Sequence, residues 1–314
     1  MRIHRFRTPC VAACMATLAA MLLAGWGDRA SADDDLLDKS VPVRKIVDKC
    51  RFTEGPVVDE RGDLYFSDGP NDRIVRRTAA GELSDFRKPC GRANGLTIDR
   101  EGRLVMCQSG GPGGGRRVTR LEKDGRETVL ADSFGGKPFN APNDLCVDRS
   151  GRIYFTDPNF GKPEDAAQPV AGVYRIDSPG QVVLVIRDLQ RPNGIVLTPD
   201  YKKLYVSDRG TQKLHRYVVA EDGGLTADGI LYDFSPDRGV DGMRVDERGN
   251  VWAAAGQGAT TGLFVVSPEG KLLQHHPMPE FSTNIAFGGP DRKDIFFTAS
   301  TSVYQLRAKV AGAK

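Results

Sequence analysis

Six side chains that carry an oxygen ligand recur at equivalent positions of the sequence. Each lies eleven or twelve residues before the aromatic residue, or its equivalent, of a repeated strand, and they are Glu54, Asn94, Asn143, Asn193, Asp241 and Asn284. Carboxylate and amide oxygens are hard ligands suited to Ca²⁺, which takes about six to eight oxygens. If these side chains converge, they form a cation site in which two carboxylates balance the charge of a divalent ion.

The donor set restricts which metal is expected. Imidazole and thiolate are absent from the six positions, so a dedicated zinc site is disfavoured, although two carboxylates with amides could accept Mg²⁺, Mn²⁺ or Zn²⁺. The alternative is that the same residues cap turns and hold buried water.

A repeated pair of strands must position these side chains. Six segments align with at most one inserted residue, and they occupy residues 57–68, 97–108, 146–157, 196–208, 244–255 and 287–300. Their spacing of about 40 to 50 residues is typical of a propeller blade. Further β-like runs lie between them, bounded by Gly, Pro, Asp and Asn, and bring most repeats to four strands. They include the predicted third strands 73–77, 117–121 and 213–219 and the predicted outer strand 229–234.

The sequence therefore predicts an all-β fold, a six-bladed β-propeller formed by residues 33–314 as a single domain. The sixth repeat lacks one strand, and residues 41–47 (VPVRKIV) precede the first repeat without a blade of their own. We expect this stretch to pair as the outer strand of the last blade, because closure removes exposed strand edges. An open solenoid is the alternative, but it would need capping repeats at both ends.

Residues 1–32 have the pattern of a secretory signal peptide. Three arginines precede an apolar run at 11–23, and Ala30-Ser31-Ala32 resembles a cleavage site. The run is shorter than the ~20 apolar residues that a membrane-spanning helix needs, which disfavours a permanent anchor. We expect a mature protein without a membrane segment, located in the periplasm or secreted.

Charge and cysteine content limit the classes of partner and cross-link. The formal net charge is +3 and includes arginines of the leader, and no basic run is interleaved with aromatics, so no nucleic-acid partner is expected. We expect a monomer that binds a small molecule. Cys50 and Cys90 both lie four residues before a repeat position, which makes them the one candidate disulfide; buried free thiols are the alternative.

Several motifs together resemble a known family. The succession FTEGPVVDERGDLYFSD, GRANGLTID, APNDLCVDRSGRIYFTDP, RPNGIVLTPDYKKLYVSD and VDGMRVDERGNVW resembles the senescence marker protein, gluconolactonase and luciferin-regenerating-enzyme family, most of all its bacterial gluconolactonases. The resemblance implies a six-bladed propeller with a divalent metal in its channel, held by Glu54, Asn143, Asn193 and Asp241. It also implies that Arg92 and Asn94 bind hydroxyl and carbonyl oxygens of the substrate.

The implied activity is metal-dependent hydrolysis of a sugar δ-lactone, such as gluconolactone, to the aldonic acid. The cation would polarise the carbonyl, and Asp241 would act as general base for the attacking water. A water activated by the cation and direct attack by Asp241 are the alternatives, and Glu54 is expected to be a ligand only. His215, His275 and His276 are expected on third or outer strands, too far from the axis for a Ser-His-Asp triad.

One departure from the family pattern bears on the substrate. Gly113, Gly114 and Gly115 stand where a bulky polar side chain is expected before the paired arginines of the second blade. The identity of the lactone is therefore left open. A non-catalytic propeller that binds a sugar or protein partner around a structural metal, and a related phosphotriesterase, are the alternative functions.

Overall fold

Short apolar runs that alternate with Gly- and Asp-rich turns fold into strands throughout the chain. The computed structural model describes residues 35–314, and this part of the chain forms 26 β-strands and three short 3₁₀ helices. None of the helices in this part is long and apolar enough to cross a membrane. The predicted leader, residues 1–32, lies outside the described residues.

The strands form six four-stranded antiparallel sheets, which we call blades 1 to 6, and one small hairpin. The first strand of the described residues is β1 (Arg44–Val47). Blade 1 contains β2 (Thr53–Val58), β3 (Leu64–Asp68), β4 (Arg73–Arg77) and β5 (Leu83–Arg87). Blade 2 contains β6 (Ala93–Ile98), β7 (Leu104–Gln108), β8 (Arg117–Leu121) and β9 (Glu127–Ala131). The hairpin that follows consists of β10 (Ser133–Phe134) and β11 (Lys137–Pro138).

The remaining blades repeat the same order. Blade 3 contains β12 (Leu145–Val147), β13 (Ile153–Asp157), β14 (Gly172–Ser178) and β15 (Gln181–Ile186). Blade 4 contains β16 (Pro192–Leu197), β17 (Lys203–Asp208), β18 (Lys213–Val219) and β19 (Leu225–Asp233). Blade 5 contains β20 (Met243–Val245), β21 (Val251–Ala255), β22 (Gly262–Val266) and β23 (Leu272–Pro277). Blade 6 contains β24 (Ser282–Gly288), β25 (Asp294–Ala299) and β26 (Ser302–Arg307).

The first strands of the blades form a closed ring. Strand β2 packs against β6, and the contacts continue through β12, β16, β20 and β24 back to β2. This arrangement confirms the predicted six-bladed propeller and excludes the open solenoid, in which the first and last repeats would not meet.

The N-terminal strand closes the ring, as the sequence predicted. Strand β1 pairs antiparallel with β26, with Lys45 opposite Tyr304, and it supplies the fourth strand of blade 6. It is shorter than predicted, because the ladder covers Arg44–Val47 rather than all of 41–47. Glu280, in the turn before β24, accepts a hydrogen bond from Lys45 Nζ at 2.8 Å and one from Tyr304 Oη at 2.7 Å. The first and last strands of the described residues are therefore joined by side chains as well as by backbone.

Hydroxyl groups at the ends of second strands connect neighbouring blades. Ser67 donates to the carbonyl oxygen of Asn94 at 2.8 Å, and Thr156 donates to that of Asn193 at 2.7 Å. The aspartate that follows Thr156, Asp157, accepts backbone N–H groups from the turn that leads into its own inner strand. Because these bonds hold the backbone of Asn94 and Asn193, they help to fix the positions of the Cα atoms that carry these two ring side chains.

The four cysteines in the described part of the chain are free thiols, so the proposed Cys50–Cys90 disulfide is wrong. Cys50 packs in a cluster with Phe66 and Val303, whereas Cys90 packs in the next cluster with Ile74 and Met106. The two residues occupy equivalent places in consecutive blade interfaces, which keeps them apart. Both behave as small apolar residues of the core.

Candidate functional site

The six ring positions lie at or just before the starts of the inner strands. Five of the side chains are at least nine-tenths buried, and these are Glu54, Asn143, Asn193, Asp241 and Asn284, whereas Asn94 is half-buried. Four ring residues are followed by glycine. At two of these glycines, a larger residue would clash with the neighbouring blade. A Cβ on Gly242 would lie 1.9 Å from Cγ of Asn284, and one on Gly194 would lie 2.2 Å from the carbonyl oxygen of Asp241. Only glycine lets neighbouring inner strands approach this closely.

Hydrogen bonds join ring residues of neighbouring blades. Asn284 donates its side-chain amide to Oε2 of Glu54 at 2.9 Å, and Asn193 donates to Oδ1 of Asp241 at 2.8 Å. The backbone N–H of Gly95 donates to the carbonyl oxygen of Asn143 at 2.7 Å. The predicted ligands Asn193 and Asp241 are therefore in direct contact, and Glu54 is held by a ring residue outside the predicted quartet.

The two ring carboxylates influence each other electrostatically. Burial raises the pKa of Glu54 to about 8, and the negative charge of Asp241 adds to that rise, while hydrogen bonds from Asn284 and the Gly55 N–H oppose it. A divalent cation bound beside Glu54 would oppose this rise, because a nearby positive charge stabilises the ionised carboxylate.

The donor chemistry fits a hard cation rather than a thiolate or imidazole site. Within residues 35–314, no three His, Cys, Asp or Glu side chains cluster as metal ligands, so an ion held in the ring by side chains alone would also need amide oxygens. Glu54, Asn143, Asn193 and Asp241 provide two carboxylates and two amides at the starts of four inner strands. These four residues could hold Ca²⁺, which accepts carboxylate and amide oxygens in irregular geometry.

Two arginines that the sequence analysis missed contact the same carboxylate oxygen. Nη1 of Arg238 lies 3.1 Å from Oδ2 of Asp241, and Nη1 of Arg209 lies 3.7 Å from it. Arg238 is buried, whereas the side chain of Arg209 is a quarter exposed. The available signal for Arg238 was its place three residues before a ring carboxylate, in a turn that must face the ring.

Asp144 is a further buried carboxylate that the sequence analysis did not single out. Its Oδ1 accepts the N–H of Leu145 at 2.9 Å, and its Oδ2 is buried with no hydrogen-bond partner among the described residues. Burial raises the pKa of Asp144, and the positive charge of Arg244 opposes that rise. The available signal was its position directly after Asn143, where four other blades have glycine.

No described hydrogen bond joins the predicted substrate-binding residues Arg92 and Asn94 to the ring carboxylates. The backbone N–H of Arg92 donates to Oδ1 of Asp72 at 2.7 Å, and its Nη1 donates to the carbonyl oxygen of Pro112 at 3.3 Å. Its guanidinium thus faces the glycine-rich loop of blade 2, in which Gly113 has a φ of 78°. The substrate roles of Arg92 and Asn94 stay predictions.

The histidines lie where the sequence placed them. His215 is on the third strand of blade 4, and His275 and His276 are on the outer strand of blade 5. None of them is on an inner strand, so the described ring offers no imidazole to a serine nucleophile.

Comparison with known proteins agrees with the fold. Residues 52–301 match the family described as SMP-30/Gluconolactonase/LRE-like region. A gluconolactonase of Zymomonas mobilis is 32% identical over 311 residues, covering 89% of this chain and 85% of that protein. Pentonolactonase XacC of Haloferax volcanii is 30% identical, covering 82% and 85%. The solved structure of a gluconolactonase from Xanthomonas campestris is 29% identical, with a TM-score of 0.78 and coverage of 88% and 92%.

The match spans all six repeats, and both curated relatives align over more than four fifths of their length. The chain belongs to the SMP-30/gluconolactonase/LRE-like family.

Proposed function

We propose that this protein is a carboxylic-ester hydrolase that opens a sugar lactone to its aldonic acid with the help of a divalent cation, Ca²⁺ being the best match to the donors. The observation that carries the proposal is the buried pair Glu54 and Asp241, with the amide of Asn193 hydrogen-bonded to Asp241, in a chain whose relatives include a gluconolactonase and a pentonolactonase.

Glu54, Asn143, Asn193 and Asp241 are the residues that would hold the ion. When bound, the cation supplies Lewis acidity that polarises the lactone carbonyl. The contribution of the chain is a rigid set of oxygens, since glycines and inter-blade hydrogen bonds fix the starts of the inner strands. A site that needs no rearrangement on binding favours both cation affinity and catalysis.

Asp241 has the role of general base in this proposal. Its Oδ2 faces two guanidinium groups, whereas its Oδ1 faces the amide of Asn193. We assign Oδ1 as the atom that takes the proton of the attacking water, because protonation at Oδ2 would disrupt the pairing with Arg238. The water oxygen bonds to the carbonyl carbon, the bond to the ring oxygen breaks, and the proton passes to that leaving oxygen. Glu54, held by Asn284, serves as a ligand only.

The test is a pH-stat assay with δ-lactones of several sugars, a simple ester and a phosphotriester, before and after chelation. Asp241→Asn is compared with Asp124→Asn, a change at an exposed aspartate that pairs only with Arg126 on the surface. We expect Asp241→Asn to lose about 10²-fold or more in kcat and the control to match wild type. Full activity of Asp241→Asn would refute the catalytic assignment. Absence of hydrolysis of every compound would favour a binding propeller instead.

We also propose that residues 1–32 direct export and are removed, so that the enzyme acts in the periplasm or outside the cell. The charged start, the apolar run and the small-residue cleavage pattern support this. Cell fractionation with N-terminal sequencing checks it, and an intact Met1 on a cytoplasmic protein would contradict it.

A further inference from the structure

Arg238 is anchored at every nitrogen of its guanidinium. Its Nε donates to the carbonyl oxygen of Gly256 at 2.8 Å, its Nη2 donates to that of Ser282 at 2.6 Å, and its Nη1 contacts Oδ2 of Asp241 at 3.1 Å. The plane also lies over the ring of Phe281, with Cζ 4.0 Å from the centroid. Because two hydrogen bonds to backbone and one stacking contact hold the guanidinium, the remaining donor, Nη1, has a fixed direction.

These anchors belong to two different blades. Gly256 follows the second strand of blade 5, and Ser282 begins the inner strand of blade 6. Asp241 stands just before the inner strand of blade 5, so Arg238 ties that carboxylate to the backbone on both sides. Because the Arg238 side chain is buried, a rotation of Asp241 away from it would leave the guanidinium charge without its partner inside the protein.

Arg209 contacts the same oxygen without this anchoring. Its Nη1 lies 3.7 Å from Oδ2 of Asp241, which is longer than a hydrogen bond, and its side chain is a quarter exposed. The two arginines therefore bring similar charge to Asp241, but only Arg238 restricts the orientation of the carboxylate.

We propose that Arg238 is a positioning residue that fixes Oδ2 of Asp241 and so sets the orientation in which this carboxylate meets the cation and the attacking water. The inference rests on the function proposed above. Under this proposal Arg238 strengthens cation binding by orienting Asp241, although its positive charge alone would weaken cation binding. A positive charge beside a ligand repels a cation, so removing charge alone strengthens cation binding. Loss of an oriented ligand weakens it, typically by about 10- to 100-fold.

The experiment measures Ca²⁺ affinity by calorimetry on chelator-stripped wild-type protein and on the variants Arg238→Gln, Arg238→Lys, Arg209→Gln and Arg126→Gln. We expect Arg238→Gln to bind Ca²⁺ at least about tenfold more weakly, and Arg238→Lys to recover part of the loss. Arg209→Gln should bind Ca²⁺ as tightly as wild type or more tightly. Arg126→Gln, at a side chain that is 76% exposed, should match wild type.

Lactonase kinetics on the same proteins separate positioning from substrate binding. We expect Arg238→Gln at saturating Ca²⁺ to lose about 10²-fold in kcat with little change in KM, because a misplaced base affects the chemical step. Circular dichroism and thermal unfolding confirm that each variant is folded, and Arg238→Lys carries the test if Arg238→Gln is not.

The outcomes distinguish this inference from the proposed function. Weaker Ca²⁺ binding by Arg238→Gln in a protein that hydrolyses no lactone would support positioning and refute the proposed activity. An active wild-type enzyme whose Arg238→Gln variant binds Ca²⁺ as tightly as wild type would overturn positioning alone. Equal weakening in Arg209→Gln, or wild-type protein that binds no Ca²⁺, would also overturn it.

Discussion

Asn193 donates its side-chain amide to Oδ1 of Asp241 at 2.8 Å, across the boundary between blades 4 and 5. The two residues are 48 positions apart in the sequence, yet both were predicted as ligands of one cation. Their contact places an amide and a carboxylate of different blades at one point of the ring.

Asn193→Ala removes this contact and one predicted ligand oxygen. We expect about 10- to 100-fold weaker Ca²⁺ binding, because Asp241 loses the donor that orients Oδ1 and the ion loses an oxygen. Calorimetry on chelator-stripped protein measures the change. Asn71→Ala is the control, since Asn71 donates to Asp68 at the end of a second strand and makes no described side-chain hydrogen bond to a ring residue. Unchanged affinity in Asn193→Ala would contradict the ligand assignment.

Calcium should stabilise the folded protein, and Glu54 should be required for the effect. A ligand that binds only the folded state at 100 times its Kd adds about 2.7 kcal/mol to the free energy of unfolding. We expect a higher melting temperature in Ca²⁺ than in chelator, and no such difference in Glu54→Gln. Glu164→Gln, at a side chain that is 68% exposed, should keep the full shift. A shift that survives in Glu54→Gln would place the cation elsewhere.

Glu280→Gln tests the bond that closes the ring. Partial burial raises the pKa of Glu280, but hydrogen bonds from Lys45, Ser302 and Tyr304 outweigh it and lower the pKa to about 2. An acid whose pKa is lower in the folded state stabilises the fold at pH values above its ordinary pKa, 4.5. That contribution is lost as the pH falls towards 2.

We therefore expect Glu280→Gln to cost about 2 kcal/mol in the free energy of unfolding at pH 7 and markedly less at pH 3. Urea unfolding at both pH values measures the difference, with Glu164→Gln as the exposed control. An equal cost at pH 7 and pH 3 would show that the charge of Glu280 is not what closes the ring.

Gly242→Ala tests how tightly the inner strands pack. The new methyl group would meet the side chain of Asn284 at 1.9 Å, so either that side chain or the strand must shift. Overpacking of this kind costs about 1 to 3 kcal/mol, and we expect Ca²⁺ affinity to fall as well. In Gly69→Ala the methyl group would meet only a carbonyl oxygen at 3.8 Å, which is ordinary contact, so thermal unfolding should be close to wild type. Equal stability of the two variants would refute the argument.

Local sequence patterns were sufficient for the fold because a propeller repeats one local unit. The predicted third strands 73–77, 117–121 and 213–219 match the structure residue for residue, since each is an apolar run bounded by turn residues. The outer strand of blade 4 was predicted at 229–234 but spans Leu225–Asp233. The first half of this strand is polar and pairs with β18 through backbone hydrogen bonds, so a search for apolar runs does not detect it.

The cysteines show where sequence spacing misled. Cys50 and Cys90 occupy equivalent repeat positions, and equivalence suggested a pair. In a ring, however, equivalent positions of consecutive blades lie one blade apart, in separate core clusters.

The number of blades, the closing role of the N-terminal strand and the six ring positions could be predicted from the sequence, because they follow from a repeat whose strands and turns are specified locally. The contacts between ring residues could not, because Glu54 meets Asn284 and Asn193 meets Asp241 through packing between blades. The same holds for Arg238. Its three donors are oriented by carbonyl oxygens of two blades and by Asp241, and this convergence exists only after the ring closes.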